Sequence, residues 1–252
     1  MPHPRRALLA GLLAAAGTAR ANGTEAERIA RLVRAYPDHL AGVEGDLLVW
    51  RDGARMLIGA GLPERSFEAM LHDATIADQM RQPYRPGPPD GPPPRDFSPG
   101  RIRSTAFFTR MYGECRAGGV PTRGAAWLGR QTLAMTTVNG VADRLERVAA
   151  SLEGMPDRFR AYLVPSAGTL SCRGVADTGL VSMHAFGAAI DINTRHSDYW
   201  HWARARGDGE IPYRNRIPFE IVEAFEVERF IWGGKWYHYD TMHFEYRPEL
   251  FG

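Results

Sequence analysis

The chain predicts a mixed α and β fold, and three local patterns carry that expectation. Thr24-Glu-Ala-Glu27 is a capping box ahead of a helical run. Leu47-Leu-Val-Trp50 and Arg55-Met-Leu-Ile58 flank Asp52-Gly53, the signature of a hairpin. Ala189-Ile-Asp-Ile192 has the alternating apolar character of a strand, with a carboxylate set among apolar neighbours.

The elements follow in order. Arg5-Arg6, the apolar run Ala7 to Gly17 and Ala19-Arg20-Ala21 have the order of a secretory signal peptide, so residues 1–21 are expected to be removed on export to the periplasm or the exterior. That run is too short to span a bilayer, and no later segment approaches the ~18 uninterrupted apolar residues a span needs. A helix is expected from the capping box to about Tyr36, where Pro37 ends it, followed by the hairpin over Gly45 to Ile58 and a helix over Phe67 to Met80. Pro83 to Pro99 carries eight prolines and reads as an extended linker or wrapping loop. Helices are expected again over Ser104 to Tyr112, over Val141 to Met155 with Asn139 as its cap, and near Phe219 to Val227, with short strands around them. The expected division is a leader (1–21), an N-terminal extension ending in the proline-rich segment (22–100) and a C-terminal domain (101–252).

Charge narrows the partners. The chain has 31 basic and 29 acidic residues, and three of its arginines fall in the leader, so the mature protein is nearly neutral and no nucleic-acid partner is expected. Almost every cation is arginine; Lys235 is the lone lysine. Cys115 and Cys172 are the only cysteines, and in an oxidising compartment they can form one disulfide holding the segment around Arg173; two buried free thiols are the alternative.

Two clusters carry chemistry. The first is Ser182-Met-His184-Ala-Phe-Gly187-Ala-Ala189-Ile-Asp191, and the second is Trp232-Gly-Gly-Lys-Trp236-Tyr-His238-Tyr-Asp240-Thr-Met-His243. Two imidazoles and a carboxylate suit zinc, which takes nitrogen and oxygen donors and in catalytic sites keeps a position open. An inward carboxylate on a strand needs a cationic partner, and a metal at Asp191 would supply one. Asp240 and His243 are three apart and share a face if the segment is helical, so one can ligate while the other serves as a base. His238 is a candidate for orienting that base, His196 and His201 read as loop residues, and Ser182 reads as a turn former, with no general base beside it. Trp232, Trp236, Tyr237 and Tyr239 either contact substrate or pack the sheet.

These segments resemble the zinc D-Ala-D-Ala carboxypeptidase family, which includes phage L-alanyl-D-glutamate endopeptidases. The family pattern is Ser-x-His, two residues, Gly-x-Ala-x-Asp, then a Glu or Asp followed by two residues and a second His. It is filled by Ser182, His184, Gly187, Ala189, Asp191, Asp240 and His243. The resemblance covers roughly residues 140–250. It implies an α+β fold in which a small antiparallel sheet carries a zinc site flanked by helices, as in D,D-peptidase and hedgehog-like domains. It further implies His184, Asp191 and His243 as Zn2+ ligands, Asp240 as the base, and Arg173 in Gly168-Thr-Leu-Ser-Cys-Arg173 as the group polarising the scissile carbonyl. The implied substrates are stem peptides of peptidoglycan. Aspartate at the base position, where the carboxypeptidase branch has glutamate, matches the endopeptidase branch and slightly favours an internal bond. Two other readings stand beside this: a zinc-containing wall-binding protein without turnover, and a peptidase of ordinary secreted peptides.

Overall fold

The computed structural model describes residues 23–63, 65–129, 131–172, 181–203 and 210–252. The expected signal peptide and Arg173 lie outside them. Helix α1 (Glu25–Ala35) opens on the expected capping box: Glu27 N–H donates to Thr24 Oγ1 at 3.2 Å, and Thr24 N–H donates to the Glu27 carboxylate at 2.6 Å. It buries Ile29 and Leu32. Strands β1 (Leu40–Glu44), β2 (Leu47–Trp50) and β3 (Arg55–Leu57) follow as an antiparallel sheet in the order β1-β2-β3; β2 and β3 are the expected hairpin.

Two expectations are corrected here. The helix expected over Phe67 to Met80 is two short helices, α2 (Phe67–His72) and α3 (Ile76–Gln79). Thr75 causes the break, because its hydroxyl accepts from Asp78 N–H while the Asp78 carboxylate takes Thr75 N–H, so a second capping box restarts the helix. Further on, helix α5 starts from Gly140, not Asn139. Both residues have left-handed φ values (57° and 65°), and the Asn139 amide turns back to donate to Tyr112 Oη at 3.2 Å instead of capping the helix.

The proline-rich segment wraps the body. Tyr84 N–H donates to Leu250 O at 2.8 Å, Tyr237 N–H donates to Phe97 O at 2.6 Å, and the strap is pinned from beneath by Lys235. The buried ammonium of Lys235 donates to Arg85 O (2.9 Å), Gly87 O (2.6 Å) and Glu226 Oε1 (2.6 Å). Beyond the strap come α4 (Thr105–Tyr112), the hairpin β4 (Thr122–Trp127) and β5 (Gln131–Thr136), α5 (Val141–Glu153) and the short α6 (Arg160–Leu163). Val141, Leu145, Val148 and Leu152 form one buried stripe of α5 at helical spacing, and this face meets β4 and α7.

The last sheet positions the site. Strands β6 (Ala189–Asp191), β7 (Phe230–Trp232) and β8 (His243–Tyr246) are antiparallel in the order β6-β8-β7, and helix α7 (Phe219–Val227) covers one face. Phe225 of α7 stacks on Phe244 of β8 with ring centres 3.9 Å apart. One continuous core joins Ile29 and Leu32 of α1 through this sheet to Leu250 and Phe251. The architecture is therefore α+β with small antiparallel sheets and helices. No helix among the described residues is long and apolar enough to cross a membrane.

Candidate metal centre and cleft

The register of two strands builds the centre. Asp191 on β6 lies directly opposite His243 on β8, so the two side chains start from neighbouring positions on one face. His184 comes from the 3-10 turn Met183–Phe186 just before β6. Ser182 opens that turn by accepting His184 N–H at 3.3 Å, which is the turn-forming role expected of it. Gly187 closes the turn at φ 61°, where a side chain would be strained and its Cβ would lie 3.0 Å from Thr136 N.

The three donors converge tightly. His184 Nε2 is 3.1 Å and His243 Nδ1 3.0 Å from Asp191 Oδ1, and the two ring nitrogens are 3.2 Å apart. On the far side of each ring a partner fixes the tautomer of the neutral imidazole. His184 Nδ1 lies 2.5 Å from the carbonyl of Thr169, which can only accept, so Nδ1 carries the hydrogen and Nε2 presents its lone pair inward. His243 Nε2 faces the Glu245 carboxylate at 2.9 Å, so Nδ1 presents the inward lone pair. With both rings neutral, three acceptors point at one buried spot and repel one another unless a cation, either a metal ion or a proton on His243, lies among them. A tetrahedral ion with ligands at ~2.0–2.1 Å spaces them about 3.3 Å apart, close to the observed triangle. The donor set therefore fits a metal ion such as zinc.

The titration behaviour expresses the same demand for positive charge. Burial works against ionisation of Asp191, yet the charges and hydrogen bonds of His184 and His243 hold its carboxyl well below the usual carboxylate range. Burial also opposes a proton on His243, but the hydrogen bonds to Asp191 and Glu245 outweigh it and push the ring up to about 10. Glu245, held down to about 2 against its own burial by His243 and Arg247, stays ionised.

Asp240 sits beside this triangle. Its backbone N–H donates to Gly233 O at 3.0 Å, and the segment pairs with the strand-like stretch at Tyr199. Its Oδ1 is buried and accepts no hydrogen bond among the described residues. Burial first, and then the charge of Asp191, push its carboxyl up to about 6. A carboxylate so placed, with a free lone pair and a raised proton affinity, is suited to take a proton from water. It lines a cleft of about 400 Å³ together with the three donors, Arg101, Tyr199, Trp202, Trp236 and Met242.

Other sequence-singled residues fall elsewhere. His238 lies next to the cleft wall, stacked on Phe67 with ring centres 5.6 Å apart and edge-on to Trp200, and burial lowers its ring to about 4. Trp232 is a buried packing residue, whereas Trp236 lines the cleft. Cys115 and Cys172 are bonded, with Cα atoms 5.5 Å apart, so the bridge reaches the residue preceding Arg173. Sequence reasoning passed over Glu245, although it stands two residues after His243 on a strand and so shares its face. It also passed over the carbonyl of Thr169, which is brought beside β6 when Asp191 N–H donates to Gly168 O at 2.9 Å.

From Glu245 a buried polar chain runs outward. Glu245 Oε1 accepts from Arg247 Nη1 at 2.9 Å, and Arg247 Nε donates to Glu249 Oε1 at 2.6 Å. Glu249 Oε2 accepts from Tyr36 Oη of the segment after α1, again at 2.6 Å.

Residues 176–246 match the family model described as D-alanyl-D-alanine carboxypeptidase, in agreement with the resemblance of the two clusters. This supports an enzyme of the metallopeptidase type. Comparison with curated proteins and with solved structures gives no significant match.

Proposed function

We propose that the protein is an exported zinc metallopeptidase hydrolysing peptide bonds in the stem peptides of peptidoglycan, as an endopeptidase or a D,D-carboxypeptidase. The observation that carries the reading is the inward triangle of His184, Asp191 and His243 with an unpartnered Asp240 oxygen beside it. The family match supports the substrate class, and the leader pattern of residues 1–21 supports export. Residues 101–252 would form the catalytic part, buttressed by residues 22–100.

Zinc held by the three side chains would polarise the scissile carbonyl and acidify the attacking water. The residues of the chain do the rest. Asp240 accepts the proton of that water and later delivers it to the leaving amine. Glu245 and the Thr169 carbonyl lock the two imidazoles in the tautomers that face inward. Arg173, by resemblance, supplies donors to the oxygen on which negative charge grows. Tyr199, Trp202 and Trp236 wall the cleft and limit water around the peptide. A wall-binding protein without turnover has no use for the unpaired Asp240 oxygen, which favours the catalytic reading.

The test is mass spectrometry of defined muropeptides incubated with the zinc-loaded mature chain, beside a casein control. Shortened stem peptides with intact casein are expected. Intact muropeptides after prolonged incubation, or casein degraded as readily, would overturn the reading.

A further inference from the structure

One cation of the cleft has no part in the chemistry described above. Arg101 follows the proline strap and lies outside the stretch that matches the family model. Its Nε and Nη2 both donate to His238 O, at 3.0 and 2.9 Å, and its guanidinium carbon stands 5.4 Å from the ring centre of Trp236. Gly100 makes this course possible, since a Cβ there would fall 2.1 Å from the Trp236 ring.

The other arginines nearby are more deeply buried and have fewer donors to offer. Arg247 is neutralised by Glu245 and Glu249. Arg103 spends its donors on the carbonyls of Gly100 and Val181. Arg101, partly buried, forms no ion pair with a carboxylate among the described residues; a carbonyl, which orients it without cancelling its charge, Tyr199 and an aromatic face hold it, and its charge is felt by Asp240 in the same cleft. A positioned guanidinium that no carboxylate among the described residues pairs, on the wall of a cleft, suits an anion, and its planar fork suits a carboxylate.

We propose that Arg101 is the carboxylate receptor of this cleft and selects peptides with a free carboxylate near the bond to be cleaved. The carboxylate falls near that bond because Arg101 lines the same cleft as the three donors and Asp240. The cation also offsets the repulsion between the incoming carboxylate and Asp240, which lines the same cleft. Trp202, 58% exposed on this wall, offers a flat apolar area for the peptide to cover. The carboxylate can come from the chain terminus or from an acidic side chain. Cleavage of a neighbouring bond rests on the peptidase reading; recognition of the carboxylate does not.

Binding and hydrolysis of one stem-peptide sequence in three forms test this with the zinc-loaded mature chain: both carboxylates free, the C-terminus amidated, and the acidic side chain amidated. Calorimetry should show one of the two amides binding 10- to 100-fold more weakly than the free acid, which identifies the source of the carboxylate. Arg101→Gln should weaken the free acid by a similar factor, chiefly in KM, and add little to the loss already caused by that amide. Arg101→Lys should restore part of the affinity. Equal binding of all three peptides to the wild type, or losses from variant and amide that simply add, would overturn the proposal. Should Arg101→Gln fail to fold, Arg101→Lys decides, and an affinity for the free acid equal to that of the wild type would overturn the assignment. Discrimination in binding without any hydrolysis would sink the peptidase reading and leave this one standing; hydrolysis indifferent to amidation would do the reverse.

Discussion

Glu245 accepts a hydrogen bond from His243 at 2.9 Å on the side of the imidazole that faces away from Asp191. The carboxylate therefore does for this histidine what a backbone carbonyl does for His184. It fixes which nitrogen is free, and it adds negative charge that makes that nitrogen a better donor. Arg247 and Glu249 continue the chain to Tyr36, so His243, the proposed metal ligand, is braced by a residue more than two hundred positions away in sequence.

Glu245→Gln should weaken metal affinity by roughly 10- to 100-fold while leaving the fold intact, because the amide can satisfy the hydrogen bond in geometry but not in charge. Chelator competition measures this directly. Unchanged affinity would remove Glu245 from the metal site. His184→Ala should abolish stoichiometric metal in the same assay.

Asp240→Asn should retain metal and lose ~10²- to 10⁴-fold in turnover, since an amide cannot accept the proton. As the proposed base, Asp240 would work only when ionised, and its folded carboxyl is raised to about 6 by burial and by Asp191. A bound cation opposes that rise. Activity should thus fall as pH drops through a limb at or below about 6, and the limb should vanish in the residual activity of the variant. A pH–rate profile with the same acid limb in both proteins would assign it elsewhere.

Tyr36→Phe deletes the hydroxyl that Glu249 accepts at 2.6 Å and leaves a buried carboxylate short of one donor. Hydrogen bonds to charged groups contribute ~1.5–3 kcal/mol, and urea unfolding should show a loss in that range. A loss below about 0.5 kcal/mol would mean that Gln79 and Arg247 satisfy Glu249 without the tyrosine.

Replacing Cys115 and Cys172 with serine releases a bridge spanning 57 residues of sequence. Loop-closure entropy assigns such a bridge about 4 kcal/mol. Thermal unfolding of the double variant against the oxidised wild type checks the figure, and an equal Tm would show that the constraint is already present in the unfolded chain.

The sequence was most legible where chemistry is local. The capping box at Thr24, the hairpin across Asp52-Gly53 and the helix Phe219–Val227 need only neighbours in the chain, and each stands where its residues place it. The helix expected through Thr75 failed for an equally local reason, a capping residue inside an apolar run. The donors His184, Asp191 and His243 could be named from residue type and the family resemblance, and the fold brings them together. Tertiary context decided the rest. Nothing near Glu245 says that Arg247 and Glu249 will be buried with it, and no pattern in the proline strap says that Arg101 will emerge against Trp236. Long-range contacts of this kind are fixed by the closed core, not by any window of sequence.

Lys235 lies beneath the strap, 8% exposed, with all three ammonium hydrogens engaged. As it is the lone lysine, the native exterior offers acylating dyes, aldehyde fixatives and lysine-directed cross-linkers no ε-amine to attack. The α-amino group is left as the amine such reagents can reach, so labelling at one defined position should follow from simple mixing. Release of the strap would uncover a second amine, and the appearance of a doubly labelled species is thus a mass-resolved report of that event. Apart from histidine, every remaining basic side chain is a guanidinium, which keeps its charge in alkaline buffers that neutralise lysine-rich proteins.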